Sequence, residues 1–128
     1  ELKDLECSHN ELTELDVSQN PELQVLDCSG NELSKLDVSR NVALRFLECD
    51  ENGLTSLDVS QNPELISLHC RDNKLTELDV SQNINLEYLD CLGCEITVLD
   101  ASKNTKLKTL FCDEAVNVIG YDGNRASW

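Results

Sequence analysis

The nine residues "LDVSQNPEL", from Leu15 to Leu23, occur again without change from Leu57 to Leu65. Looser copies begin at Leu36, Leu78 and Leu99, and each copy starts 21 residues after the one before it. A fixed period of this length is typical of proteins built from stacked structural repeats. The period therefore decides how the rest of the sequence is divided.

The 21-residue unit contains two related half-phrases, and the units begin at residues 1, 22, 43, 64, 85 and 106. Leu-x-x-Leu-x-Cys-x-x-Asn comes first and Leu-x-x-Leu-Asp-Val-Ser-x-Asn second, starting at Leu2 and Leu12 in the first unit. Apolar residues separated by one position share a face of an extended segment, and Asn favours tight turns. The pattern predicts an all-β-rich solenoid of about six 21-residue coils, with two short strands per coil and little or no helix.

The core of such a solenoid comes from residues that repeat in the same register. A single coil cannot bury its own leucines, but stacked coils bury each other's. One buried column is predicted to contain Leu5, Leu26, Leu47, Leu68, Leu89 and Leu110.

The last unit departs from the pattern, since Ala115 takes the Asn position and one residue is missing before the next phrase. With that deletion, the second half-phrase is expected to continue through Val116, Ile119, Tyr121 and Asn124. We expect residues 1–114 to form the repeat array. Residues 115–128 are expected to form a degenerate last half-repeat and a C-terminal cap, with Trp128 covering the end of the stack.

Six cysteines are spaced by 21 residues: Cys7, Cys28, Cys49, Cys70, Cys91 and Cys112. Their side chains should point inward in parallel, which is a poor orientation for the torsion of a disulfide, so buried free thiols are predicted. A zinc site is not favoured, because the only close pair is Cys91 and Cys94. Cys94 occupies the position that Asn holds in the earlier units.

The second half-phrase also repeats an outward column of carboxylates: Asp16, Asp37, Asp58, Asp79 and Asp100. Stacked carboxylates repel one another, so hydrogen bonds from the nearby serine hydroxyl and from turn N–H groups are expected to offset the repulsion. A ladder of bound calcium ions is the alternative, although the repeat lacks the paired glycines of known calcium-loading repeats.

The outward positions of the first half-phrase change in charge, size and aromaticity from coil to coil, unlike those of the second. A mixed aromatic and polar surface of this kind suits a protein contact, whereas single exposed apolar residues also arise by drift. The candidate contacts are Arg45, Phe46, Ile66, His69, Tyr88 and Phe111. His69 is expected between Glu48 and Asp90 in its column, where a metal site is conceivable but not favoured.

The first half-phrase with the leucine that follows it, as in "LECSHNEL" from Leu5 to Leu12, resembles the leucine-rich repeat with Cys in the last strand position. The chain is most similar to the short 21-residue class of bacterial surface proteins in the internalin family, which carries a similar cysteine column. The resemblance implies a secreted or surface-displayed bacterial recognition domain, but it does not identify a ligand. The candidate partner is a protein ligand, with a host cell-surface protein or a glycan as the options.

Charge and motifs exclude several other classes of function. A net charge of −15 argues against nucleic acid and anionic membranes as partners, and no apolar run is long enough to span a bilayer. No nucleophile, base and orienting group converge in the pattern, and no phosphate-binding glycine loop is present, so neither an enzyme nor a cofactor is predicted. An inert stalk and a calcium-stabilised solenoid remain the alternatives to recognition.

Overall fold

The computed structural model describes residues 1–123, 125 and 126. This part of the chain contains no helix, and its extended segments are short. The strands are β1 (Asp4–Glu6), β2 (Val25–Asp27), β3 (Phe46–Glu48), β4 (Ser67–His69), β5 (Tyr88–Asp90), β6 (Val98–Asp100), β7 (Thr109–Phe111), β8 (Asn117–Ile119) and β9 (Arg125–Ala126).

Two parallel sheets run along the stack of coils. The larger has the order β1-β2-β3-β4-β5-β7-β9, and the smaller consists of β6 and β8. From β1 to β7 in the larger sheet, each strand residue pairs with its counterpart 21 positions later, as Leu47 does with Leu68. The structure thus confirms the parallel solenoid of about six coils and the register that the period predicts.

The interior is filled by the columns of repeated apolar residues. Leu26, Leu47, Leu68 and Leu89 are fully buried in the predicted column, and Leu110 is 1% exposed. Neighbouring columns add the other leucines, the valines of the second half-phrase and the cysteines. The cysteines are free thiols, as the sequence predicts, and the ladder from Cys28 to Cys112 is buried.

The second half-phrase departs from the expected two strands per coil. Within the described residues it forms a strand only as β6 and β8. Earlier coils are joined there by backbone bonds such as Lys74 N–H to the Leu54 carbonyl at 2.8 Å. Side chains form hydrogen bonds with other backbone groups, as when Asn62 Nδ2 donates to the Val38 carbonyl at 3.1 Å. These side-chain bonds stand in place of a continuous strand ladder.

The turn after each first-phrase strand from β1 to β5 contains a residue with left-handed backbone geometry. Its φ angle is 56° at His9, 52° at Glu51 and 56° at Asp72. Glycine, which adopts this region without steric cost, occupies the equivalent turns at Gly30 and Gly93. The period therefore repeats a backbone conformation as well as a residue pattern.

The end of the chain follows a different register from the one expected. β8 pairs with β6 so that Val118 lies opposite Leu99, and Ile119, expected inside, is 45% exposed. Two residues fewer separate these strands than separate earlier equivalents, which rotates Ile119 outward. Asn124 and Trp128 lie outside the described residues, and the cap formed by residues 115–128 stays a prediction.

Candidate functional site

The outward side of the larger sheet carries two rows of variable side chains. One row contains Asp4, Val25, Phe46, Ser67, Tyr88 and Thr109, and the other contains Glu6, Asp27, Glu48, His69, Asp90 and Phe111. The inward leucine between the rows anchors each strand, so the spacing of the outward side chains is fixed by the core. We call this side of β1, β2, β3, β4, β5 and β7 the strand face.

An aromatic stack crosses the strand face diagonally over β4, β5 and β7. The ring centroids of His69 and Tyr88 are 4.6 Å apart with an angle of 21° between the rings. Tyr88 and Phe111 follow at 5.8 Å and 45°. His69 and Phe111 lie in one row and Tyr88 lies in the other. The contacting rings on neighbouring strands are therefore 19 and 23 positions apart in sequence, and not 21. Three of the six candidate residues thus form one continuous patch.

The other three candidates lie beside this stack rather than in it. Phe46 is 39% exposed on β3, and the guanidinium carbon of Arg45 lies 5.9 Å from its ring centroid. Ile66 and Arg45 line an open groove of about 470 Å³ that continues past Glu87 to Lys106. Ser67 stands between Phe46 and Tyr88 in their row, which separates Phe46 from the stack.

Arg71 is a member of the patch that the sequence reasoning did not single out. Its Nη2 and Nε atoms donate to Asp90 Oδ2 at 2.6 and 3.0 Å, and its guanidinium carbon lies 6.0 Å from the Phe111 ring centroid. The position two residues after the strand also varies between coils, as Ser29, Asp50 and Arg71 show. Applying the same test of variation to the turn would have found it.

Asp90 lies in an outward row, as expected, but it is only 3% exposed. Arg71 covers its carboxylate, and the N–H of Leu92 donates to its other oxygen at 3.2 Å. The expected register is confirmed, since His69 lies between Glu48 and Asp90. However, His69 Nε2 is 3.0 Å from Ser67 Oγ, and its ring packs on Tyr88. The His69 side chain thus contacts Ser67 and Tyr88, whereas the carboxylate of Asp90 holds Arg71 in position.

The electrostatics of the patch follow from partial burial beside carboxylates. Burial raises the pKa of Asp50, although the backbone N–H of Arg71 donates to its Oδ1 atom at 2.7 Å. Burial also raises the pKa of Tyr88, and the charge of Asp90 adds to this effect. Tyr88 is therefore a neutral phenol at physiological pH, able to donate and accept hydrogen bonds.

The aspartate column on the other side of the coils is engaged in its own turns. Each carboxylate accepts the N–H of the serine two residues later at 2.9 Å, as in Asp58 and Ser60. Bonds from the serine hydroxyl and N–H lower the pKa of these aspartates. The hydrogen bonds predicted for the column are therefore present. Among the described residues, no group of three or more His, Cys, Asp or Glu side chains is placed to hold a metal ion.

Within residues 1–123, 125 and 126, no helix has the length and apolar character needed to cross a bilayer. No protein-family model matches the sequence. No match is found among curated protein sequences either.

Solved structures do resemble this one. The functional domain of InlJ from Listeria monocytogenes, which includes a cysteine ladder, has a TM-score of 0.82 and 40% sequence identity over 92% of this chain. This chain spans 25% of that protein chain. A leucine-rich repeat protein from Leptospira interrogans has a TM-score of 0.78 at 22% identity, covering 91% of this chain and 38% of its own.

An internalin, InlF, from L. monocytogenes has a TM-score of 0.73 at 20% identity, covering 95% of this chain and 35% of its own. At their identities, this internalin and the Leptospira protein show the fold. The neighbours support a protein-interaction module in general. With its 21-residue coils and its ladder of free cysteines, the chain is a leucine-rich repeat solenoid that is similar to the internalin-like proteins of the cysteine-ladder class.

Proposed function

We propose that this chain is a recognition module of a bacterial surface or secreted protein and that it binds a host cell-surface protein through the strand face. The observation that carries the proposal is the aromatic stack of His69, Tyr88 and Phe111, whose ring centroids are 4.6 and 5.8 Å apart. A few hot-spot residues, among which Trp, Tyr and Arg are enriched, provide most of the binding energy in protein interfaces.

Preorganisation adds to the argument. The three rings belong to strands fixed by a fully repeated core, and they pack on one another before any partner arrives. Arg71 is held by the nearly buried carboxylate of Asp90 at 2.6 Å. Side chains ordered in advance lose less conformational entropy when a partner binds, so a modest surface can bind with useful affinity.

Charge indicates where the partner would contact the rest of the face. Asp4, Glu6 and Glu48 are exposed on the strands that precede the stack. A partner that places an apolar or aromatic side chain on the rings and basic groups over these carboxylates would complement both parts. Enzymatic activity is not part of this proposal.

The test is binding of the purified chain to an array of host cell-surface proteins, with glycans included as a second arm. The triple variant Phe46→Ala/Tyr88→Ala/Phe111→Ala should weaken binding to a protein hit by about tenfold or more, since a hot-spot residue contributes over about 1.4 kcal/mol. Both proteins must show the same melting temperature. Binding only to glycans would replace the protein partner by a carbohydrate.

A matched control removes the same kind of surface elsewhere. Val42, Ile84 and Val98 are 53%, 56% and 49% exposed and lie away from the strand face. The variant Val42→Ala/Ile84→Ala/Val98→Ala should bind as the unmodified chain does. Equal loss in both variants, or no binding by any form, would contradict recognition through the strand face.

A further inference from the structure

Cys94 occupies a place that asparagine takes in the preceding coils. There Asn73 Nδ2 donates to the Cys49 carbonyl of the coil before it at 2.9 Å, while Asn73 Oδ1 accepts the N–H of Leu54 at 3.1 Å. In the next coil, Cys94 Sγ donates to the Cys70 carbonyl at 3.2 Å. A thiol can reproduce one donor and one acceptor of the amide. Cys94 therefore sits in a polar slot, unlike the cysteines of the core ladder.

Two thiols meet at this slot. The bond to the Cys70 carbonyl places Cys94 Sγ beside Cys70, which belongs to the preceding coil. The sequence spacing Cys91-Leu-Gly-Cys94 would instead favour a pair within one turn. Cys91 Sγ is directed at the carbonyl of Phe111, 3.6 Å away in the following coil. The fold thus selects Cys70 as the neighbour of Cys94.

The surroundings of Cys94 make its thiol more reactive than those of the buried ladder cysteines. Bonds from the Cys70 thiol and from the N–H groups of Asn73 and Leu75 lower the pKa of Cys94, against the effect of its burial. Burial raises the pKa of the ladder cysteine Cys28 to about 12. Cys94 is also half-buried, whereas Cys70 is fully buried. Thiolate character and access, which together control cysteine reactivity, coincide at Cys94.

We propose that Cys94 and Cys70 form a thiol–disulfide exchange site that reacts with low-molecular-weight disulfides. The Cys94 thiolate attacks one sulfur of the small disulfide, forming a mixed disulfide and releasing one small thiolate. Cys70 then gives up its proton to water or to the departing small thiol, its thiolate sulfur attacks Cys94 Sγ, and the second small thiolate leaves. The chain loses two electrons and two protons, and the small disulfide is reduced to two thiols.

The product would join the fourth and fifth coils beneath β4 and β5. A covalent link between these coils restricts the unfolded chain, so the oxidised form should melt at a higher temperature than the reduced form. The site is independent of the strand face, because neither sulfur belongs to the aromatic stack.

Oxidised glutathione is the probe for this site. The folded chain is incubated with it and quenched in acid, and the products are followed by intact mass and peptide mapping. We expect a transient glutathione adduct on Cys94, then a Cys70–Cys94 disulfide with loss of two hydrogens. A lasting adduct on Cys94, a Cys91–Cys94 disulfide, or similar modification of all seven cysteines would overturn the proposal.

Three variants make the assignment specific. Cys94→Asn restores the asparagine that earlier coils have at this position, so this variant should fold normally and fail to react with oxidised glutathione. Cys70→Val should accumulate the Cys94 adduct, and Cys91→Val, its matched control in the buried ladder, should still form the Cys70–Cys94 disulfide. Failure of Cys70→Val to accumulate the adduct, with its fold retained by circular dichroism, would also refute the pair.

Discussion

The pKa values of two carboxylates in the same coil, Asp50 and Asp58, are shifted in opposite directions according to what surrounds their oxygens. Asp58 is exposed, and its Oδ1 atom accepts the N–H of Ser60 at 2.9 Å. Asp50 lies eight residues earlier, partly buried in the turn that holds Arg71. Hydrogen bonds lower the pKa of Asp58, whereas burial raises the pKa of Asp50. Single residues, rather than the overall acidity, therefore set the response to pH.

Asp50→Asn should stabilise the protein at neutral pH. The raised pKa means that the folded chain binds this proton more tightly than the unfolded chain does, so stability falls as pH rises through the folded pKa. The amide keeps an oxygen that can accept the Arg71 N–H. We expect a higher melting temperature at pH 7 and no difference below the unfolded pKa, measured by circular dichroism over a pH series.

Asp58→Asn is the matched control with the opposite sign. Its lowered pKa gives a stabilising contribution that is present above the unfolded pKa and lost as pH falls through the folded value. This variant should therefore melt below the unmodified chain at pH 7. A shift of both variants in the same direction at pH 7 would show that local contacts do not set these two pKa values.

At the scale of the element, the second half-phrases are joined by a ladder of asparagines. Asn62 Nδ2 donates to the Val38 and Asn41 carbonyls of the preceding coil at 3.1 and 2.9 Å. Asn83 and Asn104 repeat the arrangement. In the described part of the chain, the Oδ1 atoms of Asn41, Asn62, Asn83 and Asn104 are buried without a hydrogen-bond partner. The amide acts here as a double donor.

Asn62→Ala should lower the free energy of unfolding by about 1–3 kcal/mol, because two hydrogen bonds are lost and each contributes about 0.5–1.5 kcal/mol. The Val38 and Asn41 carbonyls keep the backbone N–H groups of Asn41 and Leu44 as donors. Urea titration followed by circular dichroism would measure the change. The neighbouring Gln61 is exposed, so Gln61→Ala should stay within about 0.5 kcal/mol of the unmodified chain. An equally small effect of Asn62→Ala would show that water replaces the amide.

The whole molecule carries 25 acidic and 10 basic side chains, for a net charge of −15. The stack places equivalent side chains of neighbouring coils about 5 Å apart, as paired parallel strands require. This distance is less than the Debye length of about 10 Å at 0.1 M salt, so the like charges of each column repel one another in dilute buffer. The ladder bonds and the core outweigh that repulsion.

Sodium chloride should therefore raise the melting temperature, by a few degrees between 10 mM and about 0.5 M on the usual scale of surface electrostatics. Calcium chloride at matched ionic strength should give the same increase, since each column aspartate already accepts a bond from its own turn. An additional increase with calcium that EDTA reverses would favour the calcium-stabilised solenoid instead.

The repeat in the sequence was sufficient to predict a stacked, parallel architecture. The period of 21 fixed the coils, and the inward residues at Leu47, Leu68 and Cys70 could be assigned because a repeated position meets the same neighbour in every coil. It also located the variable strand face, since residues that face solvent are free to differ between repeats. These inferences hold because each is a property of the repeat, and one coil explains all the others.

The contacts of residues that depart from the repeat could be seen only in the packed coils. The burial of Asp90 under Arg71, the bond from Cys94 to the Cys70 carbonyl, and the outward turn of Ile119 each depend on a departure from the repeated pattern. Such a residue meets neighbours from adjacent coils at distances set by side-chain rotamers and the exact stagger of the strands. A one-dimensional period contains no information on either quantity, so only the packed coils show which contacts form.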